Sequence, residues 1–157
     1  MNDLNPTFPA LPGAYLLVLA AAQATTIQVG RLGAMQVTPG CYLYAGSALG
    51  AGGLRGRLRH HLHVAARPHW HVDYLRAVTE LVAVWWLVSP ERFEHRWALA
   101  LAQAPGCTIP MARFGASDCR CPAHLFYLPT LPAAAILSEL LSLSPSAPPT
   151  LQFLTHA

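Results

Sequence analysis

Lysine is absent from this 157-residue sequence, and all ten of its basic residues are arginine. Charged residues make up 11% of the chain, which is well below the roughly 25% of an average protein, whereas apolar residues make up 54%. The coding bias of a GC-rich genome accounts for the missing lysine without any function. The alternative is an affinity for phosphate, because a guanidinium group binds phosphate oxygens through two parallel hydrogen bonds.

The sequence also lacks a long apolar run. Its longest apolar stretches are Ala14–Ala22 and Leu81–Val88, both far shorter than the roughly 20 residues of a membrane-spanning helix. Met1–Pro12 contains an acidic residue and several prolines but no basic cluster, unlike a secretory signal. We therefore expect a cytoplasmic protein with no membrane partner, whose four cysteines form no disulfide framework.

One segment of the chain concentrates positive charge. Between Arg55 and Arg76 the sequence has five arginines and five histidines, opposed only by the acidic residue Asp73. Such a segment is typical of a protein that binds nucleic acid or another phosphate-rich partner. The i, i+4 spacing of Arg57 and His61 predicts that they share one face of a helix, about one turn apart.

Hydrophobic periodicity and turn residues predict the order of strands and helices. The predicted strands cover residues 13–20, 25–31, 33–37, 41–45, 80–88 and 123–128. The predicted helices cover residues 54–66, 70–78 and 89–104, and a glycine-rich loop covers residues 46–53. This order indicates an α/β fold with a small mixed, mostly antiparallel sheet flanked by helices.

The length and composition predict one principal domain with two extensions. Residues 1–10 form an N-terminal extension, residues 11–128 the principal domain, and residues 129–157 a C-terminal extension rich in leucine, alanine, serine and proline. The composition of the C-terminal extension predicts a short helix followed by a flexible tail over Ser144–Thr150.

Few polar residues outside the basic segment can carry chemistry, and those few suggest phosphodiester cleavage. Tyr15 and Tyr44 lie at predicted strand ends, and Glu94 lies on a largely apolar helix. Arg57 suits the scissile phosphate, since its charge is permanent and its planar fork fits phosphate. Glu94 suits one Mg²⁺ or Mn²⁺ ion, while Tyr44 or His61 would orient the attacking water or relay its proton.

Each of these residues also has an ordinary structural explanation. Tyrosine is favoured in strands, so Tyr15 and Tyr44 fit simple packing. Arg57 and His61 fit a solvated helix face. Glu94 fits the exposed side of its helix near the N-terminus, where an acidic residue is favourable.

A second cluster lies near the end of the predicted domain. Cys119, Cys121 and His124 have side chains that bind zinc, and Cys107 or Asp118 could supply a fourth ligand. A single residue between two cysteines is an uncommon spacing for a zinc site. The alternatives are a pair of buried thiols, or a histidine that faces the substrate.

Several short motifs occur in a fixed order along the chain: Gly13-Ala14-Tyr15, Tyr44-Ala45-Gly46, Leu54-x-x-Arg57-x-x-x-His61, Trp70–Leu75, Glu94 and Ser117–Tyr127. Over about Leu11–Leu128, these motifs resemble the GIY-YIG nuclease superfamily. More narrowly, the chain resembles an uncharacterised subfamily that is sometimes fused to helix-hairpin-helix DNA glycosylases.

The resemblance implies roles for individual residues. Tyr15 would be the general base, with Tyr44 able to exchange roles with it, and Glu94 would be the metal ligand. The chain departs from the superfamily pattern in having alanine as the middle residue of both signatures, where isoleucine is usual. It also has a longer connection over residues 16–43, which implies an extra pair of strands.

We therefore expect a divalent-metal-dependent endonuclease that hydrolyses phosphodiester bonds in DNA, using Mg²⁺ or Mn²⁺. For Cys119, Cys121 and His124, a Zn²⁺ site is one of the alternatives given above. A protein partner is expected to supply specificity. The residues expected to contact nucleic acid are Gly46, Ser47, Arg55, Arg59 and His71, although His71 fits a buried hydrogen-bond network equally well. The alternatives are a non-catalytic nucleic-acid-binding module with the same fold, which needs only the arginines, and a zinc-stabilised interaction domain.

Overall fold

The computed structural model describes residues 7–142 and 149–154. The strands are β1 (Gly13–Ala21), β2 (Thr25–Val29), β3 (Gly33–Val37), β4 (Gly40–Ala48), β5 (Glu80–Val88), β6 (Leu125–Leu128) and β7 (Thr150–Phe153). The helices are α1 (Gly53–Leu62), α2 (His71–Arg76), α3 (Phe93–Gln103) and α4 (Ala134–Leu141), with a 3-10 turn over Gly30–Leu32. None of the helices in these ranges has the length and apolar character needed to cross a bilayer.

Five strands form one sheet in the order β6-β4-β1-β5-β7, and β2 pairs with β3 in a separate hairpin. Every neighbouring pair among the described strands is antiparallel. The pairings confirm the predicted α/β class with a mostly antiparallel sheet. The β2–β3 hairpin is the extra pair of strands that the sequence predicts between Tyr15 and Tyr44.

Both faces of the large sheet are buried, which explains why its central strands read as nearly continuous apolar runs. Alternate residues of β1 point to opposite faces. Tyr15 and Leu17 pack with residues of α1 and α2, whereas Leu16 and Val18 pack with residues of α3 and α4. The helices therefore form one layer on each side of the sheet.

Strand β4 is longer than the sequence predicts. The predicted loop over residues 46–53 is wrong at its start, because β4 continues through Gly46 to Ala48. This stretch pairs with the beginning of β1, where Ala48 lies opposite Gly13. Tyr44 consequently lies within a strand and not at its end.

All three predicted helices are shorter in the structure, and α2 covers only His71–Arg76. Helix α1 ends at Leu62, whose carbonyl oxygen accepts a hydrogen bond from Arg76 Nη2 at 3.2 Å. Helix α3 begins at Phe93, after a turn in which Ser89 Oγ accepts a hydrogen bond from the Glu91 amide at 3.1 Å. These hydrogen bonds lie at the C-terminal end of α1 and just before the N-terminal end of α3. Hydrophobic periodicity cannot predict such local contacts.

The C-terminal extension adds a helix and a strand to the core. Helix α4 packs against α3, and Trp97 Nε1 donates a hydrogen bond to the Leu141 carbonyl at 3.0 Å. The prediction of a flexible tail is wrong at Thr150, which begins β7 and pairs with Trp86 of β5. The preceding part of that predicted tail, residues 144–148, lies outside the described residues.

Candidate active site

A cleft of about 430 Å³ opens at the end of the large sheet where β1 begins and β4 ends. The predicted catalytic residues that line it are Tyr15, Tyr44, Arg57 and Glu94. Other predicted site residues in its wall are Gly46, Ser47, His71 and His124. The fifth predicted catalytic residue, His61, is only 1% exposed and lies behind Tyr15.

The register of the sheet explains how Tyr15 reaches the cleft. Tyr15 lies opposite Gly46 in the β1–β4 pair. A Cβ atom at Gly46 would overlap the ring and hydroxyl group of Tyr15, so only glycine lets that ring lie across β4. The Tyr44 ring follows at a centroid distance of 6.5 Å from the Tyr15 ring. The glycine of the second signature thus positions the tyrosine of the first.

Tyr15 begins a buried chain of polar contacts. Its hydroxyl oxygen is 2.9 Å from His61 Nε2. The other ring nitrogen of His61, Nδ1, is 3.8 Å from Asp73 Oδ1, too far for a hydrogen bond but close enough for a strong charge interaction. Asp73 Oδ1 is also 3.0 Å from His60 Nε2, and its Oδ2 accepts hydrogen bonds from two backbone amides just before α2.

Burial keeps most of this chain uncharged at neutral pH. Desolvation raises the pKa of Tyr15 to about 12, against the opposing charge of Arg57, and raises the pKa of Tyr44 well above its usual value. Desolvation lowers the pKa of His61 to about 3, although the Asp73 carboxylate acts in the other direction. For Asp73 itself, burial acts to raise the pKa, but its hydrogen bonds hold the pKa below the ordinary value. Tyr15 and His61 therefore form a neutral pair beside a carboxylate.

Arg57 extends from α1 into the cleft with its guanidinium group held on two sides. Its Nη1 donates a hydrogen bond to the Ser47 carbonyl at 3.0 Å, and its Cζ lies 4.1 Å from the centroid of the Trp70 ring. The second contact is a cation–π interaction. A guanidinium group has more N–H donors than these contacts use, so Arg57 can also bind an anion in the cleft.

Glu94 contributes a buried carboxylate from the other face of the sheet. It lies in the first turn of α3 and is 3% exposed, so the explanation as an exposed helix residue is wrong. Its Oε1 is 3.5 Å from His95 Nε2 and 3.9 Å from Arg92 Nη1. Its Oε2 is buried and has no hydrogen-bond partner within the described part of the chain. Such an oxygen costs free energy, which a bound cation would offset.

Four side chains with metal-ligating atoms converge at the edge of the cleft: His95, Cys119, Cys121 and His124. The four ligand atoms lie within 4.8 Å of one another, and His124 Nε2 is 3.2 Å from Cys119 Sγ. The fourth member is His95 of α3. Neither of the predicted alternatives, Cys107 and Asp118, belongs to this group in the described structure.

A second group of this kind consists of His60, His61 and Asp73. Besides the single carboxylate of Glu94, the described residues therefore contain two groups of three or more side chains that could hold a metal ion. In this second group Asp73 uses both of its carboxylate oxygens in hydrogen bonds, whereas His61 Nδ1 has no hydrogen-bond partner among the described residues.

A protein-family model covers the part of the chain that forms this cleft. The sequence model of the family described as "Domain of unknown function DUF123" matches residues 14–143, which include all of the site residues described above. The chain belongs to the DUF123 family. No curated protein and no solved structure matches the sequence.

Of three further predicted nucleic-acid contacts of the DUF123 domain, one lies in the wall of the cleft and two lie outside it. Arg55 and Arg59 are exposed on α1 and do not line the cleft, and Arg55 Nε instead donates a hydrogen bond to the Phe8 carbonyl at 3.0 Å. His71 lines the cleft, and its Nδ1 accepts a hydrogen bond from the Gly115 amide at 2.8 Å. Contact of these three side chains with phosphate stays a prediction.

The cleft of the DUF123 domain also contains His69, Arg92 and His95, which the sequence analysis missed. It contains Trp70 and Asp118 as well, which were noted only as part of a motif and as a possible zinc ligand. Asp73, which supports the cleft from behind Tyr15 and His61, was missed as well. A faint signal existed for two of them. Asp73 is the lone acidic residue of the basic segment, and His95 follows the predicted metal ligand Glu94.

Proposed function

We propose that this DUF123 domain is a divalent-metal-dependent endonuclease that hydrolyses phosphodiester bonds in DNA. The observation that carries the proposal is the buried Glu94 carboxylate, in the same cleft as Arg57 and Tyr15. Its Oε2 has no hydrogen-bond partner among the described residues. A metal ligand, a fixed cation and a route for a proton are the groups that phosphodiester hydrolysis requires. These residues also carry the resemblance to GIY-YIG nucleases, and we propose a site of that type.

Glu94 suits Mg²⁺ or Mn²⁺, since these hard cations bind carboxylate oxygens. Glu94 would hold the ion through Oε2, because Oε1 already faces His95 and Arg92. A bound ion would neutralise negative charge on the phosphoryl oxygens. One carboxylate leaves most of the coordination shell to water and to substrate phosphate, so we expect tight metal binding only in the presence of DNA.

Arg57 would bind the scissile phosphate. The Ser47 carbonyl and the Trp70 ring hold its guanidinium group in the free protein, so little reorganisation is needed when charge develops. The proposed contacts are all to phosphate, and phosphate contacts carry no sequence information directly. We therefore propose that a protein partner supplies sequence specificity.

Tyr15 and His61 would carry the proton of the attacking water. A phenol with a pKa of about 12 provides very little phenolate at neutral pH. Tyr15 can nevertheless accept the proton of the water if it passes its own proton to His61 Nε2, which is 2.9 Å away. The charge of Asp73 beside Nδ1 favours the tautomer with the proton on Nδ1, which leaves Nε2 as the acceptor.

The substrate itself would assist this proton transfer. In the free protein, burial lowers the pKa of His61 to about 3, so His61 is a weak base. A DNA phosphate in the cleft adds negative charge near the ring and raises this pKa. The Asp73 carboxylate would then stabilise the imidazolium that forms. Tyr15 touches the water in this scheme, and His61 is the final proton acceptor.

A cleavage assay tests the proposal. Labelled single-stranded, double-stranded and flapped DNA would be incubated with the protein and Mg²⁺, Mn²⁺ or EDTA. We expect metal-dependent cleavage by the wild type and none by Glu94→Gln, which removes the charge at nearly constant volume. Glu91→Gln, an exposed acidic residue in the turn before α3, is the matched control and should cleave normally.

The same assay separates the enzyme from its main alternative. Binding without cleavage on every substrate, by wild-type protein with either metal ion, would indicate a non-catalytic nucleic-acid-binding module. Cleavage that persists in Glu94→Gln with unchanged metal dependence would refute the assignment of the metal ligand.

A further inference from the structure

We propose that the DUF123 domain binds a structural zinc ion through His95, Cys119, Cys121 and His124. Two thiolates and two imidazoles are a common tetrahedral ligand set for zinc, and the thiolate charges balance the charge of the ion. Tetrahedral ligands at about 2.0–2.3 Å from zinc lie about 3.3–3.8 Å apart. The ligand atoms here lie within 4.8 Å of one another, close enough for small side-chain rotations to complete the tetrahedron.

Hydrogen bonding fixes His124 in the form that can bind a metal. Its Nδ1 is 3.0 Å from the Ala45 carbonyl oxygen. A carbonyl oxygen can only accept a hydrogen bond, so Nδ1 carries the ring proton and Nε2 has a free lone pair. Nε2 is the atom that lies 3.2 Å from Cys119 Sγ. Histidines that bind zinc commonly donate their second N–H to a carbonyl or carboxylate in this way.

Arg113 holds the backbone around the two cysteines. Its Nη1 donates a hydrogen bond to the Cys121 carbonyl at 2.8 Å, and its Nη2 donates one to the Cys119 carbonyl at 2.7 Å. Its backbone amide donates a third to the Pro122 carbonyl at 2.7 Å. The loop that carries both sulfur atoms therefore has its shape before any metal binds, which reduces the entropic cost of binding.

The connection between α3 and β6 gives this zinc ion a structural task. Residues 104–124, all within the described ranges, contain neither a helix nor a strand. Unstructured connections of more than about 12–15 residues are uncommon in compact domains unless they have a function. Zinc would tie this connection to α3 through His95. Since Asp118 and His124 line the cleft, the ion would also fix that wall of the cleft relative to Glu94.

Elemental analysis of the purified full-length chain tests the site. We expect about one zinc ion per chain in the wild type, and a loss of that zinc in Cys119→Ser and Cys121→Ser. Cys107→Ser replaces a half-buried cysteine outside the group and should retain the zinc. His95→Gln should lose it while Asp118→Asn keeps it, which identifies the fourth ligand.

A spectroscopic measurement keeps the proposal testable even if the cysteine variants do not fold. Wild-type protein reconstituted with Co²⁺ in place of zinc should absorb through thiolate-to-cobalt charge transfer and through the visible bands of a tetrahedral ion. Folded wild-type protein that contains no zinc and gives no such absorption would overturn the proposal. Full zinc retention by Cys121→Ser would overturn this ligand set. None of these readouts depends on DNA cleavage, so the zinc site stands or fails separately from the nuclease.

Discussion

Two clusters support the cleft, and each contains two histidines. We call them the aspartate cluster (His60, His61 and Asp73) and the cysteine cluster (His95, Cys119, Cys121 and His124). Within each cluster the ligand atoms lie within 4.8 Å of one another. Distance alone therefore does not tell which cluster holds a metal ion.

The clusters differ in what their ligand atoms contact: in the aspartate cluster the carboxylate is anchored by groups outside the cluster, whereas in the cysteine cluster two ligand atoms contact each other. In the aspartate cluster, Asp73 is held by His60 and by two backbone amides, and His61 Nε2 faces Tyr15. His61 Nδ1 has no hydrogen-bond partner among the described residues, so this cluster offers one unpartnered ligand atom beside an anchored carboxylate. In the cysteine cluster, Cys119 Sγ and His124 Nε2 contact each other, and the Ala45 carbonyl accepts a hydrogen bond from the opposite ring nitrogen of His124. We infer that the aspartate cluster serves proton transfer and the cysteine cluster serves metal binding.

The variant His61→Gln should separate the two clusters most strongly. Glutamine keeps a polar group next to Tyr15 but cannot take up a proton, so cleavage should fall by about 10²–10⁴-fold. Zinc content should stay at the wild-type level, because the cysteine cluster is untouched. Cleavage rates and elemental analysis measure the two effects. His63→Gln is the control, because His63 is exposed and directly follows the same helix. Equal cleavage by both variants would contradict the role of His61.

The variant Gly46→Ala tests the packing of Tyr15, which contacts the aspartate cluster, without changing any charge. The added methyl group would overlap the Tyr15 ring, so the free energy of unfolding should fall by about 1–3 kcal/mol and cleavage should fall with it. Gly56→Ala on the exposed side of α1 is the matched control, since a Cβ atom there meets nothing within 4 Å. Urea unfolding and cleavage assays compare the two. A Gly46→Ala protein as stable and active as Gly56→Ala would show that the close approach to Tyr15 is unimportant.

The pattern of apolar residues was sufficient to predict most of the sheet. Strand β5 occupies the predicted residues 80–88, because a strand buried on both faces is a continuous apolar run between turn residues. The end of β4 could not be found in this way. Glycine is typical of turns, so the sequence predicts a loop at Gly46. Only the position of Gly46 opposite Tyr15 in the β1–β4 pair shows that this strand requires glycine there.

The site was predictable only where its residues belong to motifs with regular spacing. Tyr15 and Arg57 were predicted from such motifs, and Glu94 from its place in the resemblance to GIY-YIG nucleases; the fold brings all three into one cleft. His95 and Asp73 were missed because their partners come from distant parts of the chain. Their roles depend on how a helix packs against a loop, and the spacing of residues along the sequence does not predict this packing.

The pH dependence of stability sharpens the interpretation of the aspartate cluster. Burial lowers the pKa of His61 to about 3, from the value of 6.5 expected in the unfolded chain. The unfolded state therefore binds more protons between these two pH values, and stability present above about pH 6.5 is lost as the pH falls towards 3. His61 alone should remove about 2 kcal/mol of the free energy of unfolding between pH 7 and pH 5.

Urea unfolding at a series of pH values measures this effect. The groups whose charges act on His61 are Asp73, His60, Arg57 and Arg76. Asp73 adds a loss in the same direction at lower pH, because its pKa is also held below the ordinary value. The slope between pH 7 and pH 5 should be shallower in His61→Gln than in the wild type, and identical slopes would mean that His61 is not held neutral by burial.

The smallest effect is expected from two arginines that lie outside both clusters. Arg55 and Arg59 are exposed on α1, so the double variant Arg55→Gln/Arg59→Gln should weaken DNA binding by only about two- to tenfold and lower the salt dependence slightly. Its cleavage rate with saturating DNA should match the wild type. Arg57→Gln, by contrast, should lose cleavage even at saturation, because Arg57 faces the cleft. A double variant that binds DNA but does not cleave it would mean that the catalytic surface extends along α1, beyond the cleft that the two clusters support.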